Sequence, residues 1–154
     1  TIRWSNEKDE LHREEGPAVE YPNGGKQWYL NGKPHREDGP AIEYANGDKY
    51  WYFNSKHHRE DGPAVEFADG EKRWYLNGKP HREDGPAIEY ANGDKYWYFD
   101  SKHHREDGPA IEYANGTKYW YINGKALTKK EFNNRTKPCI GKKVVIDGIG
   151  YTLK

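Results

Sequence analysis

The sequence predicts an all-β chain: an antiparallel β-hairpin repeat array, a meander of five 23-residue units, closed by a small C-terminal helix plus hairpin cap. Three observations predict it. First, Trp28, Trp51, Trp74, Trp97 and Trp120 stand 23 residues apart, as do His12, His35, His58, His81 and His104, so five units tile residues 12–126. A fixed period of this length marks stacked supersecondary units that bury their apolar sides against their neighbours. Second, each unit runs from a Val or Ile segment through Asn-Gly or Asp-Gly to an aromatic segment around its tryptophan, the order of strand, tight turn and strand. Third, the chain is only 33% apolar and is 32% charged, which alone would point to disorder, but its 15% of aromatic residues supply buried area at low entropy cost.

The elements follow in chain order. Residues 1–11 form an N-terminal half-repeat cap, because Arg3-Trp4-Ser5-Asn6 echoes the tryptophan strand of the later units. Residues 40–54 serve as the model unit: Ala41-Ile42-Glu43-Tyr44, a two-residue turn at Asn46-Gly47, then Lys49-Tyr50-Trp51-Tyr52-Phe53. Such a turn sets Tyr44 opposite Lys49, Glu43 opposite Tyr50 and Ile42 opposite Trp51. Side chains alternate along a strand, so Ile42, Tyr44, Trp51 and Phe53 are expected on a packed face, with Ala41, Glu43, Tyr50 and Tyr52 on a half-exposed one. A second reversal follows at Asn31-Gly32-Lys33-Pro34 and its equivalents, with Asn54-Ser55-Lys56 and Asp100-Ser101-Lys102 as variants. The next block, His-Arg-Glu-Asp-Gly-Pro, is too polar and too proline-broken for a central strand, and is expected to be a bulge or loop that re-aims the chain.

The pattern stops after the fifth unit, leaving residues 127–154 as the cap. Thr128 and Glu131 have capping-box spacing and predict a short helix ending near Thr136-Lys137-Pro138. Lys143 to Ile146, a turn at Asp147-Gly148, and Tyr151 to Leu153 read as a last hairpin. This unlike segment suits a cover for the terminal sheet edge, with a dimerisation module as the alternative.

Composition narrows function by exclusion. With 25 basic and 25 acidic residues interleaved, no stripe reads as a phosphate track, so bulk nucleic-acid binding is not expected. Cys139 is the only cysteine, which excludes an internal disulfide framework and fits a reducing, cytoplasmic setting. No apolar run reaches membrane-spanning length, so no membrane insertion is expected. No glycine-rich phosphate loop, nucleophile elbow or metalloprotease helix occurs. The expectation is therefore a non-enzymatic protein without catalytic residues, metal or cofactors.

Gly62-Pro63-Ala64-Val65-Glu66-Phe67-Ala68-Asp69-Gly70, followed by Trp74-Tyr75-Leu76-Asn77-Gly78-Lys79 and Asp84-Gly85, resembles the variant MORN repeat of YwqK-type bacterial proteins. The resemblance runs over the repeat region. The HREDGPA wording, with the Leu127 to Asn133 tail, is similar to repeat proteins of bacteriophages. The resemblance implies a row of hairpins used as a scaffold or binding surface. Here the Tyr-x-Gly-x-Trp strand of standard MORN repeats is replaced by Tyr50-Trp51-Tyr52-Phe53. The lipid or partner contacts ascribed to MORN arrays are therefore not carried over.

Two periodic features are candidates for function. The five His-Arg-Glu-Asp/Glu blocks recur in every unit, as a structural rung does, whereas an active site is built once from unlike residues. The expected rung pairs Arg59 with Glu60 across units, turns the chain at Asp61-Gly62 and sets His58 near Trp51. Adjacent His57-His58 and His103-His104 point to opposite faces of a strand and so do not share a metal. Tyr29, Tyr52, Tyr75, Tyr98 and Tyr121 form a ladder beside Glu20, Glu43, Glu66, Glu89 and Glu112; it either covers the sheet or anchors a partner, since tyrosine and arginine are typical anchors. The candidate partner- or ligand-binding residues are Tyr52, Tyr75, Tyr98, Tyr121, Arg59, Arg82 and Arg105. The leading expectation is a scaffold that binds a protein partner, as a phage-encoded inhibitor or accessory factor would. Capture of a small molecule (nucleotide or sugar) and a structural assembly role stay open, as does a homo-oligomer.

Overall fold

A computed structural model of the protein describes residues 1–135 and the strand backbone of 143–146 and 149–152. Its central feature is a twelve-stranded antiparallel sheet in which neighbours follow chain order. Each of the first four units contributes two short strands, such as Ile42–Glu43 and Lys49–Tyr50, and then a separate two-stranded ladder, such as Tyr52–Phe53 with Lys56–His57, whereas in the fifth unit Lys118–Ile122 runs through Trp120 unbroken and pairs with Lys125–Leu127 within the sheet. The predicted meander of repeated hairpins is present, but each unit contains two hairpins of different kinds. Trp51 is the joint between them: its amide donates to the Ala64 carbonyl of the next unit at 2.8 Å, and its carbonyl accepts from His58 at 3.2 Å.

The register differs from the expected one by a single residue. Ile42 lies opposite Tyr50 and Glu43 opposite Lys49, and the other units repeat this. The cause is the turn. Gly47 donates to the Tyr44 carbonyl at 3.0 Å, Tyr44 donates to the Asp48 carbonyl at 2.9 Å, and Gly47 has φ 99° while Asn46 stays at negative φ. That is a type I turn closed by a glycine bulge, with one loop residue more than a two-residue turn. Asn46 Oδ1 accepts from the Asp48 amide at 3.2 Å and fixes this choice. The two-residue turn with both φ positive sits in the second hairpin instead, at Asn54 (49°) and Ser55 (62°) or Asn31 (50°) and Gly32 (73°).

A one-residue slip moves every side chain of the second strand to the other face. Ile42, Tyr44 and Tyr50 therefore share one face, and Ala41, Glu43, Lys49 and Trp51 the other. The expected packed face of Ile42, Tyr44, Trp51 and Phe53 is corrected accordingly: Phe53 is 49% exposed, whereas Ala41, assigned to the open face, is 0% exposed. The core is a double row, with Ala18, Ala41, Ala64, Ala87 and Ala110 beside Val19, Ile42, Val65, Ile88 and Ile111. Tyr44, Tyr50 and Phe67 meet edge to face at 5.6 and 5.9 Å, as do Tyr90, Tyr96 and Tyr113 at 5.3 and 5.9 Å, and Arg73 joins the two groups.

The seams between units alternate. At one seam Arg59 donates to the Tyr75 carbonyl, Asn77 to His58 Nδ1 and Gly78 to the His57 carbonyl, and the same three bonds recur at Arg105, Asn123 and Gly124 and at Arg13, Asn31 and Gly32. The equivalent amides of Arg36, Asn54 and Ser55, and of Arg82, Asp100 and Ser101, make no such bonds; there Phe53 and Phe99 lean on His35 and His81 instead. The array is thus a row of tightly joined pairs. Amide exchange should show it: Asn77, Gly78, Asn123 and Gly124 are expected to exchange at least tenfold more slowly than Asn54, Ser55, Asp100 and Ser101, because an amide without a bond exchanges without local opening. Equal rates would remove the alternation.

At the ends the pattern is adapted. Ile2–Arg3 pairs with Val19–Glu20, Trp4 donates to the Ala18 carbonyl, and Arg13 covers the Trp4 ring, so residues 1–11 fold as half a unit. At the other end the helix Lys129–Arg135 begins with the expected capping box, in which Glu131 accepts from the Thr128 amide and Thr128 Oγ1 from the Glu131 amide. Lys129 lies over Trp120 where the other units place arginine, and Phe132, 4% exposed, docks the helix on the last strands. Lys143–Ile146 pairs with Ile149–Thr152 as the predicted final hairpin. The helix end near Thr136-Lys137-Pro138, the Asp147-Gly148 turn and Leu153 lie outside the described residues.

Candidate functional site

The His-Arg-Glu-Asp-Gly-Pro block forms a rung around its arginine. Arg59 lies over the Trp51 ring of the preceding unit, 4.2 Å from its centre. Its Nε donates to Asp61 at 2.8 Å, and its Nη1 donates to the Pro63 carbonyl at 3.3 Å and to Glu66 at 3.1 Å. Arg36, Arg82 and Arg105 repeat the arrangement over Trp28, Trp74 and Trp97. The planar guanidinium suits this role because it stacks and forks at once. The expected Arg59–Glu60 pairing is corrected: Arg59 holds Asp61 and Glu66, while Glu60, 86% exposed, reaches only His58 at 3.7 Å.

The glycine of the block has a steric purpose. A Cβ on Gly62 would lie 2.8 Å from Arg59 Cζ, and Gly39, Gly85 and Gly108 stand equally close to their arginines. None of these four needs a left-handed backbone, so glycine is there to let the guanidinium lie flat.

The four candidate tyrosines come together in two stacks. His57 sits between Tyr52, ring centres 4.3 Å apart, and Tyr75, 5.4 Å, with Tyr52 Oη 3.3 Å from its Nε2. His103 sits likewise between Tyr98 at 4.2 Å and Tyr121 at 5.3 Å. In the alternate units proline takes the histidine position, Pro34 opposite Tyr29 and Pro80 opposite Tyr75. The Nδ1 atoms of His57 and His103 are buried without a partner of hydrogen-bond geometry. Burial lowers the pKa of both rings from 6.5, a pull that the Trp51 and Trp97 carbonyls only partly offset. The same burial raises Tyr52 and Tyr98.

This has a pH signature. Below about 6.5 the unfolded chain takes up protons at these histidines while the folded chain resists, so stability should fall as pH drops from 6.5 towards the lowered native values. A second decline belongs to Asp38, Asp61, Asp84 and Asp107, which hydrogen bonds from their arginines hold below 3.8; their contribution is present above 3.8 and is lost as pH falls through the native values. Urea unfolding across pH should show both declines, and His57→Pro with His103→Pro, copying Pro34 and Pro80, should abolish the upper one alone. An unchanged upper decline would place it elsewhere.

Between successive loops run open grooves with repeating walls and floors. One lies between the loops at 59–63 and 81–84 over Trp74 and Leu76; the next lies between 82–86 and 104–107 over Trp97 and Phe99; another lies between 12–16 and 35–38 over Trp28 and Leu30. Arg59, Arg82 and Arg105 stand in these walls, and Tyr98 joins the second groove, whereas Tyr52, Tyr75 and Tyr121 line none of the three. Phe99, 50% exposed, is flanked by His81 at 5.2 Å and His104 at 5.8 Å. Phe53 and Phe99 escaped sequence reasoning because the assumed register placed that row on the packed face. Among the described residues no three His, Cys, Asp or Glu side chains converge as a metal site needs, and no helix is long and apolar enough to cross a membrane. No protein-family model matches the chain, and no curated protein matches it significantly in sequence.

Proposed function

We propose that the chain is a non-enzymatic, MORN-like scaffold that binds a protein partner along its row of inter-loop grooves, Arg59, Arg82, Arg105 and Tyr98 among their lining residues. The observation that carries this reading is the recurrence of one groove, with the same kinds of wall and floor, at three places along one sheet. Equivalent sites in a row suit a chain-like partner, which engages several at once and gains affinity by linkage. Chemistry would instead require unlike groups gathered once. The Tyr–His–Tyr stacks brace the second hairpins, and through Tyr98 one of them reaches the groove over Trp97 and Phe99. The HREDGPA wording, similar to that of bacteriophage repeat proteins, fits an inhibitor or accessory factor acting in a bacterial cytoplasm.

Native mass spectrometry of gently purified protein, beside its denatured mass, tests the proposal. The expected result is the bare chain or the chain with a bound polypeptide. A stoichiometric small-molecule adduct would overturn it in favour of nucleotide or sugar capture.

A further inference from the structure

Resting on the partner-binding reading, we infer that the grooves receive an extended segment in polyproline II conformation, with a basic side chain at every third residue. The charge comes from the walls. The groove over Trp97 and Phe99 is lined by Glu83, Asp84, Glu106 and Asp107 against Arg82 and Arg105, with His104 beside Glu106. Those arginines are already engaged by their aspartates and by Glu89 and Glu112. Glu83 and Glu106 are 86% and 80% exposed, with only His81 and His104 near them. The other two grooves repeat the surplus of carboxylates. The tryptophan faces at the floor are already covered by Arg36, Arg82 and Arg105, so an entering basic side chain meets acidic walls and lays its stem along Leu30, Leu76 or Phe99, the surroundings that favour a long apolar stem with a charged head.

The conformation comes from the spacing. Each unit advances the sheet by two strands, or about 9.6 Å at ordinary strand separation. A polyproline II chain rises about 3.1 Å per residue with three residues per turn, so every third side chain returns to the same side after about 9.3 Å. A β-strand returns to one side every second residue, at about 6.7 or 13 Å, and misses the grooves. A helix returns at seven residues after about 10.5 Å and drifts by about 0.9 Å per groove, three times the polyproline II mismatch. Proline-rich segments also enter aromatic-floored grooves with little ordering cost.

The test is fluorescence anisotropy of the full chain with labelled (Arg-Pro-Pro)5 and with an isomer of the same composition whose arginines are irregularly spaced. The regular peptide should bind at least tenfold tighter. Glu60→Gln, Glu83→Gln and Glu106→Gln together should weaken it at least tenfold while leaving the thermal unfolding midpoint in place, since these side chains are exposed. Equal binding of the two peptides would overturn the spacing argument, and binding of neither would overturn the groove assignment. Both failures leave the mass-spectrometric test of partner binding standing by itself.

Discussion

Arg59→Ala should lower stability by about 3 kcal/mol, Gly62→Ala by about 2 kcal/mol, and the double replacement by no more than Arg59→Ala alone. The first value sums the lost stacking on Trp51, about 1 kcal/mol for a half-buried cation–π contact, and the charge-assisted bonds to the Pro63 carbonyl and Glu66, worth about 2 kcal/mol together. The second follows because the alanine methyl would meet Arg59 Cζ at 2.8 Å. The guanidinium is the free end of a flexible side chain and can swing away, so the backbone need not move and the cost is limited to what the arginine gives up. Once Arg59 is gone, nothing remains for the methyl to displace. Gly62→Ala in the Arg59→Ala background should therefore be nearly silent, a coupling of about 2 kcal/mol read from urea midpoints at unchanged slope. If Gly62→Ala costs the same in both backgrounds, the glycine serves the backbone and the steric account fails. Arg59→Lys should rescue little, because an ammonium cannot lie on the Trp51 ring and reach Asp61, Pro63 and Glu66 together.

The same rung shows where the sequence was legible and where it was not. The tryptophan and histidine spacings report the hairpin array directly, because each unit must repeat whatever packs on its neighbour. The Thr128–Glu131 box was equally plain, since a capping box is a local bond pattern. The register was not legible, because one unit uses its two turn signals differently. Asn46-Gly47 is followed by Asp48, whose amide Asn46 captures into a type I turn with a bulge, whereas Asn77 and Gly78, followed by Lys79, take positive φ together. That choice of turn decides which face Trp51, Tyr50 and Phe53 occupy. The candidate site was half legible for a related reason. Arg59, Arg82 and Arg105 stood out by their period, but Asp-Gly-Pro reads as a turn whether or not its glycine accommodates a guanidinium. The alternation of His57 and His103 with Pro34 and Pro80 was visible as near-identity of alternate units. Its consequence, a half-buried imidazole between two tyrosine rings in every second unit, needed the second hairpin to be closed first.

Ala64→Leu should cost about 3 kcal/mol, near the upper end for overpacking a tight core position. Ala64 is 0% exposed, and its carbonyl accepts the Trp51 amide at 2.8 Å, the bond that carries the sheet from one unit to the next. By strand alternation its methyl lies on the same face as Trp51 and Glu66, beneath the arginine rung, and the preceding Pro63 carbonyl is held by Arg59. A leucine cannot turn away from this position without lifting the rung or opening the Trp51–Ala64 bond. The other units hold alanine there too, at 18, 41, 87 and 110, all 0% exposed. The row thus reflects a limit on how thick the layer between sheet and arginine can be. Ala45→Leu is the control, since Ala45 lies exposed in the first turn and its replacement should stay within about 0.5 kcal/mol. A mild Ala64→Leu, no worse than Ala45→Leu, would mean that the layer can widen and that the arginine rungs do not set the spacing. A severe one, with Val65→Ala costing only about 2 kcal/mol by loss of buried methyls, would show that the array tolerates a cavity on its aliphatic face better than added volume under its rungs.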